Sequence, residues 1–541
     1  MPSERAEAID RIDLWFLTPE ERGNAWTRID ARRGDGTAWT RGNAVRPLVH
    51  GAVYFKRLYE VLCSLEAGDW VHFTDWRGDA DELLTGPGTE VGAVLADVAS
   101  KGVHVRGLIW RSHPATMQFS EGENLELAQK VNEAGGEVLL DERVRRAGSH
   151  HQKLFLIRRP ENEDDDIAFV GGIDLCHGRH DDDSHQGDPQ VYPLDERYGD
   201  RPPWHDVQIE LQGPVLNDLA FTFRERWDDP TPIDHRNPVR KAMRDRAHEP
   251  DEPSPLPPMP DEPKPRGPHA VQVLRTYPSK RPPFPFAPNG ERSIARAYHK
   301  AYERAQKLIY LEDQYFWSSE VPGVLADTLR RSPDLRLIVV LPRYPERDGW
   351  PAGPVNRTGQ RSAIRTVMEA GGDRVGIYDI ENEQGTPIYV HAKVCIADDV
   401  WCAVGSDNMN VRSWTHDSEL SCAILDETID EREPRDPAGL GDGARVFARD
   451  LRLELWREHL GVSKDDGLVD LHSGFDAFRR TALALDEWYR SGRTGPRPRG
   501  RVRVHRLEDD PPWVRRLSTP LYRTVLDPDG RPRALRKENR F

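Results

Sequence analysis

The sequence predicts an α/β protein built from two copies of one fold, and three observations carry that reading. Helical and strand-like segments alternate along most of the 541 residues. The alternation breaks once, over 230–290, and then restarts. Landmark residues recur across the break at nearly constant spacing. His151 and Lys153 return as His391 and Lys393, 240 positions on; Asp75 returns as Glu312 after 237, and Gly171-Gly172 as Gly405-Ser406 after 234. A repeat this long is a duplicated domain and not a solenoid unit, and the chain exceeds what one core usually serves. The six-residue drift is an insertion in the first copy, within Arg158–Asp166.

The first 45 residues are mixed and polar. Residues 52–66 repeat apolar groups at helical spacing, 71–76 read as strand, 90–101 as helix, 103–110 as strand and 121–134 as helix. Short apolar runs at 137–140, 151–157 and 167–172 complete the first set of strands. Residues 231–290, rich in proline and charge, read as an extended linker or surface loop. The second set repeats the alternation: helix 291–306, strand 307–312, helix 321–331, strand 335–342, helix 360–371, then strands at 375–380, 389–397 and 400–406. The organisation is therefore an N-terminal segment (1–45), a first half (46–230), the linker, a second half (291–462) and a basic extension (463–541). From Ser491 on, the tail is rich in arginine. It reads as an unstructured solvated segment, with contact to anionic lipid or phosphate as the sharper alternative.

Composition excludes several classes. With 76 Lys+Arg against 91 Asp+Glu, the net charge of −15 argues against a general nucleic-acid binder. Five cysteines, an odd number without a C-x-x-C pair, predict buried free thiols and neither a disulfide framework nor a structural zinc site. No apolar leader and no run of about 18 apolar residues are visible, so the chain reads as soluble and cytoplasmic, with peripheral contact to a membrane face.

Each copy carries H-x-K on a strand, followed by a second strand ending in two small residues: HQK at 151–153 before FVGGIDLCHGRHD, and HAK at 391–393 before AVGSDNMNVRSW. Strand alternation puts the His and Lys of each pair on one face. A doubled His/Lys face suits one site at the interface of the copies. Two lysines neutralise a phosphodiester and hold the charge of its transition state. One neutral imidazole can attack phosphorus, and the other can protonate the leaving oxygen and then activate the next nucleophile. Each ring needs a carboxylate or carbonyl partner to fix its tautomer.

These residues resemble the phospholipase D superfamily, whose signature is H-x-K-x4-D twice with G-S-x-N after the second. The second copy fits throughout: His391, Lys393, Asp398, Gly405, Ser406 and Asn408. The first has Arg158 at the aspartate position, and Asp164, Asp165 or Asp166 can substitute across the insertion. Blocks at 171–181, 203–207, 312–316 and 447–460 narrow the resemblance to the phospholipase D enzymes, over roughly 45–462. The resemblance implies two pseudo-symmetric halves, each a mixed β-sheet flanked by helices, with the site between them. It implies hydrolysis of a phospholipid such as phosphatidylcholine to phosphatidic acid and the free head group, without metal or other cofactor. The course is a phosphohistidine, with transfer to primary alcohols. His151 is assigned as nucleophile, His391 as general acid/base, and Glu419 as the carboxylate that orients a catalytic histidine; Asp398 belongs to the motif as a structural residue. Lys153, Lys393, Asn408 and Ser406 are assigned to the phosphoryl oxygens, and Asp174 matches Asn408 in position. The expected partner is a phospholipid surface met by a monomer, without nucleic acid.

Other residues have both bland and functional readings. His150 reads as a neighbour pointing to the opposite face, and His205 as structural. Glu312 and Gln314 end a strand near the site and are candidates for substrate contact. Asp181 is a candidate partner for a histidine, although the run 180–185 also reads as a solvated loop or weak cation site without the spacing of a calcium loop. Trp76, Trp110, Trp317 and Trp350 fall near strand ends or loops, where one or two could meet lipid chains. The rivals are a superfamily nuclease, a cardiolipin synthase and a lipid-binding relative that has lost the chemistry.

Overall fold

The computed structural model describes residues 11–112, 120–233, 252–318, 320–346, 352–465, 467–508 and 511–541. Trp350 and residues 234–251 of the proline-rich stretch lie outside them.

The first half contains β1 (Thr40–Val49), β2 (Trp70–Asp75), β3 (His104–Trp110), β4 (Glu137–Asp141), β5 (Leu154–Arg158), β6 (Ile167–Gly171), β7 (Trp204–His205) and β8 (Val207–Gln212). The second contains β9 (His269–Tyr277), β10 (Glu291–Arg292), β11 (Leu308–Glu312), β12 (Arg336–Val340), β13 (Val375–Ile380), β14 (Tyr389–Val390), β15 (Val394–Ala397), β16 (Trp401–Gly405) and β17 (Glu419–Asp426), and β18 (Val502–Val504) follows. The first sheet runs β4-β3-β2-β5-β6-β8-β1 and the second β13-β12-β11-β15-β16-β17-β9. In each, the three strands at the outer edge are parallel and the rest antiparallel. The copies therefore share topology strand for strand, and β1 pairs antiparallel with β9 to make one continuous sheet.

Strands covered on both faces need no alternation of polar residues, and every residue of β2, β5, β11 and β15 is buried. Helices Gly51–Cys63, Val91–Ser100 and Glu121–Glu133 cover one face of the first sheet. Ser293–Arg304, Glu320–Arg331 and Ala352–Gly371 cover the second, presenting apolar groups such as Ile294, Tyr298 and Ala301 at helical spacing. Helices Val215–Trp227 and Val446–Leu460 pack into a third core shared by both halves.

Four expectations change. The 231–290 segment is not all linker: β9 lies inside it, at the centre of the molecule. The largest of its buried polar side chains are paired. Gln272 exchanges hydrogen bonds with the backbone of Leu17 and donates to the carbonyl of Ala38, while Arg275 meets Glu225 and Glu291 at 2.8 and 2.7 Å. Residues 12–22 of the N-terminal segment pack on the second half, where Trp15 and Phe16 enter its core and Arg22 reaches Glu291 at 3.1 Å, whereas Thr27 and Ile29 meet the helix Val215–Trp227 and the core shared by both halves. The basic extension is packed and not a solvated tail. Leu471–Arg490 is helical, β18 adds antiparallel to β13, and Phe541 sits against Trp414 and His299. Several of its arginines are engaged, as Arg503 with Asp486 at 2.6 Å and Glu381 at 3.0 Å. Finally, Cys63 is exposed, whereas the other four thiols are buried and free. Among the described residues no helix is long and apolar enough to cross a membrane.

The copies also align differently at one landmark. The counterpart of Asp75 is Asp313 and not Glu312. Asp75 accepts from the backbone N–H of Trp76 and of Leu175; Asp313 accepts from Tyr315 and from Met409, the position equivalent to Leu175.

Candidate active site

The two H-x-K histidines lie where each sheet meets the other half, and each is held by that other half. The backbone N–H of His151 donates to the carbonyl of Ser418 at 2.8 Å, and that of His391 to the carbonyl of His205 at 2.8 Å. The residue after each carbonyl is a carboxylate. Nδ1 of His151 lies 2.8 Å from Oε2 of Glu419, and Nδ1 of His391 lies 2.6 Å from Oδ2 of Asp206. Glu419 opens β17 and Asp206 immediately precedes β8, equivalent strands of the two copies. With Nδ1 engaged, Nε2 is the ring atom left for chemistry in both cases.

Asp206 is the residue that the sequence reading missed, although Pro203–Val207 was noted as a block. A signal was present: Asp206 and Glu419 are both followed by a strand that pairs with the one carrying the small-residue pair, Gly171↔Gln208 and Gly405↔Ser421.

Each lysine donates back to the carbonyl of its own histidine. Beyond that the copies differ. Lys153 pairs with Asp174 at 3.0 Å, and Arg179 approaches the same carboxylate at 3.5 Å. Burial would raise Asp174, but Lys153 and Arg179 outweigh it and hold the carboxyl well below its usual range. In the second copy the equivalent of Asp174 is Asn408, whose Oδ1 is buried without a protein partner. Lys393 donates to Gln314 Oε1 at 3.3 Å, and burial brings its ammonium down to about 8.

Burial also sets the two histidine pairs. It pushes both rings well below the usual imidazole range, helped by Lys153 at His151 and by Lys393 at His391. His151 senses Lys393, and His391 senses Lys153, so the two H-x-K pairs share one electrostatic site. Burial, with the charge of Asp417 adding to it, pushes Glu419 well above the carboxylate range; burial likewise raises Asp206 against Lys393. Each dry pair is driven toward zero net charge, in a site that the lysines and Arg179 leave electropositive. Trp76 stands edge-on to His151 and stacks on Trp110; Trp204 lies against His391.

The remaining candidates take other places. Ser406 Oγ donates to Glu419 Oε2 at 2.6 Å and accepts from Leu420 N–H, so the hydroxyl fixes the carboxylate. Asp398 is at the far end of β15, where it accepts from the backbone N–H groups of Gln306, Lys307 and Leu308. Its carboxylate ties strand ends together and does not meet His391. In the first copy Asp166 is the acid that meets Arg158, at 2.7 Å. Asp181 does not hold His151 or His391; it accepts from Trp204 and Gly187 N–H. Glu312 is buried and both its oxygens are engaged, by His205 on one and by His459 and Tyr310 on the other, so it faces the interior and not a substrate. Gln314 also donates to Tyr389 Oη at 3.0 Å and lines a recess with Tyr315, Trp317, Tyr344 and Glu346. His150 is buried against Gln152, away from the site.

Residues 70–276 match the family model described as Phospholipase D, and 299–432 the one described as Cardiolipin synthase, PLD-like domain. Phospholipase D alpha 1 of Nicotiana tabacum is 26% identical over 520 residues, covering 73% of this chain and 61% of that protein. Phospholipase D alpha 1 of Arabidopsis thaliana is 25% identical over 524 residues, covering 72% and 62%. The chain thus spans about three fifths of these curated relatives. Among solved structures, phosphatidylserine synthase of Haemophilus influenzae aligns with TM-score 0.53 at 14% identity, covering 89% of this chain and 94% of that one, a likeness of fold. With both halves matched and the doubled H-x-K geometry between them, this chain belongs to the phospholipase D superfamily.

Proposed function

We propose that the chain is a phosphodiesterase acting as a phospholipase D on a phospholipid such as phosphatidylcholine. The observation that carries the reading is the crossed pairing: each H-x-K histidine is oriented by a carboxylate of the opposite half, beside lysines of both halves. Nε2 of His151 attacks phosphorus; a P–N bond forms and the P–O bond to the head group breaks. The departing oxygen takes its proton from the His391–Asp206 pair. A water or alcohol then gives a proton to His391 and attacks phosphorus, and the P–N bond breaks. Lys153, Lys393 and the Asn408 amide hold the phosphoryl oxygens through both steps. The recess beside Gln314, lined by aromatic rings together with Glu346 and Arg357, offers ring faces to a head group.

A second reading, phosphatidyl transfer between lipids as the main reaction, is favoured by the match of the second half to the cardiolipin synthase-like model. It shares every step up to the acceptor. The test is phosphatidylcholine vesicles with ethanol, wild type beside His151→Ala and His391→Ala. Phosphatidylethanol and choline from wild type alone support the proposal. No release of choline, with activity on nucleic acid or another diester, sinks it. Glycerol in place of ethanol, giving phosphatidylglycerol with little phosphatidic acid, favours the transferase.

A further inference from the structure

Behind Asp206 lies a second cluster that the phosphodiester chemistry does not use. His50 ends β1's turn into the helix Gly51–Cys63, His185 sits in the loop after Asp181, His205 is in β7, and Glu458 comes from the helix Val446–Leu460 of the second half. The three histidines are fully or nearly fully buried. One donor atom from each of the four residues lies within 4.8 Å of all the others.

Tautomers decide what this cluster can hold. Nδ1 of His185 is 3.1 Å from the carbonyl oxygen of Trp204, which can only accept, so Nδ1 carries the proton. In a neutral ring Nε2 is then a lone pair, and it points at Oε1 of Glu458, another acceptor, at 2.9 Å. His205 repeats the pattern. Its Nε2 lies 2.6 Å from Glu312, a carboxylate that burial would raise but that His205 and His459 hold low, so Nε2 is the donor. Nδ1 of His205 is therefore a lone pair. It is buried without a hydrogen-bond partner, 3.9 Å from the same Oε1. Nε2 of His50 adds a third ring nitrogen, 2.8 Å from Oε2 of Glu458. With both rings neutral, two lone pairs converge on a carboxylate, and either a proton or a metal ion among them removes the conflict.

We propose that His50 Nε2, His185 Nε2, His205 Nδ1 and Glu458 form a site for a four-coordinate divalent transition metal of the zinc class. Three imidazoles and one carboxylate are a zinc donor set. Bonds of about 2.0–2.2 Å put tetrahedral ligand atoms about 3.3–3.6 Å apart; here each ring nitrogen lies 2.8–3.9 Å from one or other oxygen of Glu458, and the four donor atoms lie within 4.8 Å of one another. Two of the three rings have outer partners of the kind that orient metal-bound histidines, a backbone carbonyl behind His185 and a carboxylate behind His205, whereas Nδ1 of His50 is buried without one. The metal touches no substrate. It positions: His205 supplies the carbonyl that anchors His391 and is followed in the chain by Asp206, so the ion fastens the strand that aims the second histidine.

The rival occupant is a proton. Against the burial that lowers it, Asp181 and Glu458 raise the ring of His185 to about 9, and Arg501 also meets Glu458, at 3.1 Å. Elemental analysis of the purified full chain separates the two, because a proton leaves no metal. About one zinc per chain is expected in wild type and in His151→Ala, falling at least fivefold in His185→Ala and His50→Ala. Chelator-stripped wild type titrated with Co2+ should take up one equivalent with the strong visible absorption of four-coordinate cobalt, a result that does not depend on any variant folding. Wild type that carries no metal and takes up no Co2+ overturns the proposal. So does zinc retained at full stoichiometry in both variants.

Discussion

The crossed carboxylates make a prediction that separates the two chemical steps. Asp206→Asn keeps shape and removes the proton-accepting carboxyl group 2.6 Å from Nδ1 of His391, and Glu419→Gln does the same at 2.8 Å from His151, so neither variant can balance the charge of its ring as an imidazolium forms. A hydrogen bond to a charged group contributes about 1.5–3 kcal/mol, and about 1.4 kcal/mol is a factor of ten in rate. Each variant should therefore slow the step that leans on its ring by about ten- to a hundredfold. The steps differ. A ring without its carboxylate is a weaker base and a stronger acid, so Asp206→Asn impairs the activation of water more than the protonation of the head group. The covalent enzyme then accumulates on His151. Glu419→Gln instead weakens the attacking nitrogen, and no intermediate builds up. The assay is rapid acid-free quench of enzyme mixed with short-chain phosphatidylcholine, with mass spectrometry of the His151 and His391 peptides alongside the burst of choline. Asp206→Asn should show a burst and a modified His151, and Glu419→Gln neither. The inverse pattern would exchange the roles of the two histidines. Both variants within threefold of wild type in every step would refute the reasoning from the pairs.

Burial brings Lys393 to about 8. Because the charged form is the one that binds phosphate, activity should fall as pH rises through that value, and Lys393→Arg should carry whatever activity it keeps to higher pH; a profile flat from pH 7 to 9.5 would contradict this. Arg275 is fully buried between Glu225 and Glu291, so Arg275→Ala leaves Glu225 with Thr27 and the Arg28 N–H, and Glu291 with Arg22 and Asn24; it should cost about 3–5 kcal/mol, read as a drop in the urea midpoint, and a change below about 1 kcal/mol would mean the remaining partners suffice. Trp76→Ala removes the wall that stands over His151 and Lys153, and is expected to raise KM for vesicle lipid severalfold more than KM for a soluble short-chain diester. Equal effects on both would place Trp76 in positioning His151 and not at the lipid.

What the sequence could show followed from periodicity and from pairs of like residues. The outer strands and their helices are legible because β2, β5, β11 and β15 are short apolar runs and the helices carry spaced apolar groups. The H-x-K pairs are legible because they repeat. The four strands at the middle, β1, β8, β9 and β17, are not legible because they bury polar side chains whose partners lie on other elements, from 16 to 255 residues away in the chain. Gln272 is satisfied by Leu17 and Ala38, Arg275 by Glu225 and Glu291, and Gln208 and Ser421 lie against the glycines of the next strand. A hydropathy pattern sees a polar residue and reads a loop; only the fold supplies the partner that removes the cost of burying it.

The same strands bring Asp206 and Glu419 to the site, and there the limit becomes chemical. A motif within one copy can name a histidine and a lysine, but the group that sets the tautomer of each histidine belongs to the other copy. Its spacing from the histidine is set by the packing of two sheets, not by a helical turn or a strand repeat. Glu419 lies 268 positions from His151, and Asp206 185 positions from His391. No local pattern encodes those distances. The duplication does: once β8 and β17 are recognised as equivalent, an acid before one requires an acid at the start of the other. The asymmetry that remains, Asp174 against Asn408 beside otherwise matched lysines, is then where a division of roles between the two histidines, as proposed above, would originate. A carboxylate pairs with Lys153 at 3.0 Å, while Lys393 meets the Gln314 amide at 3.3 Å and burial brings its ammonium down to about 8.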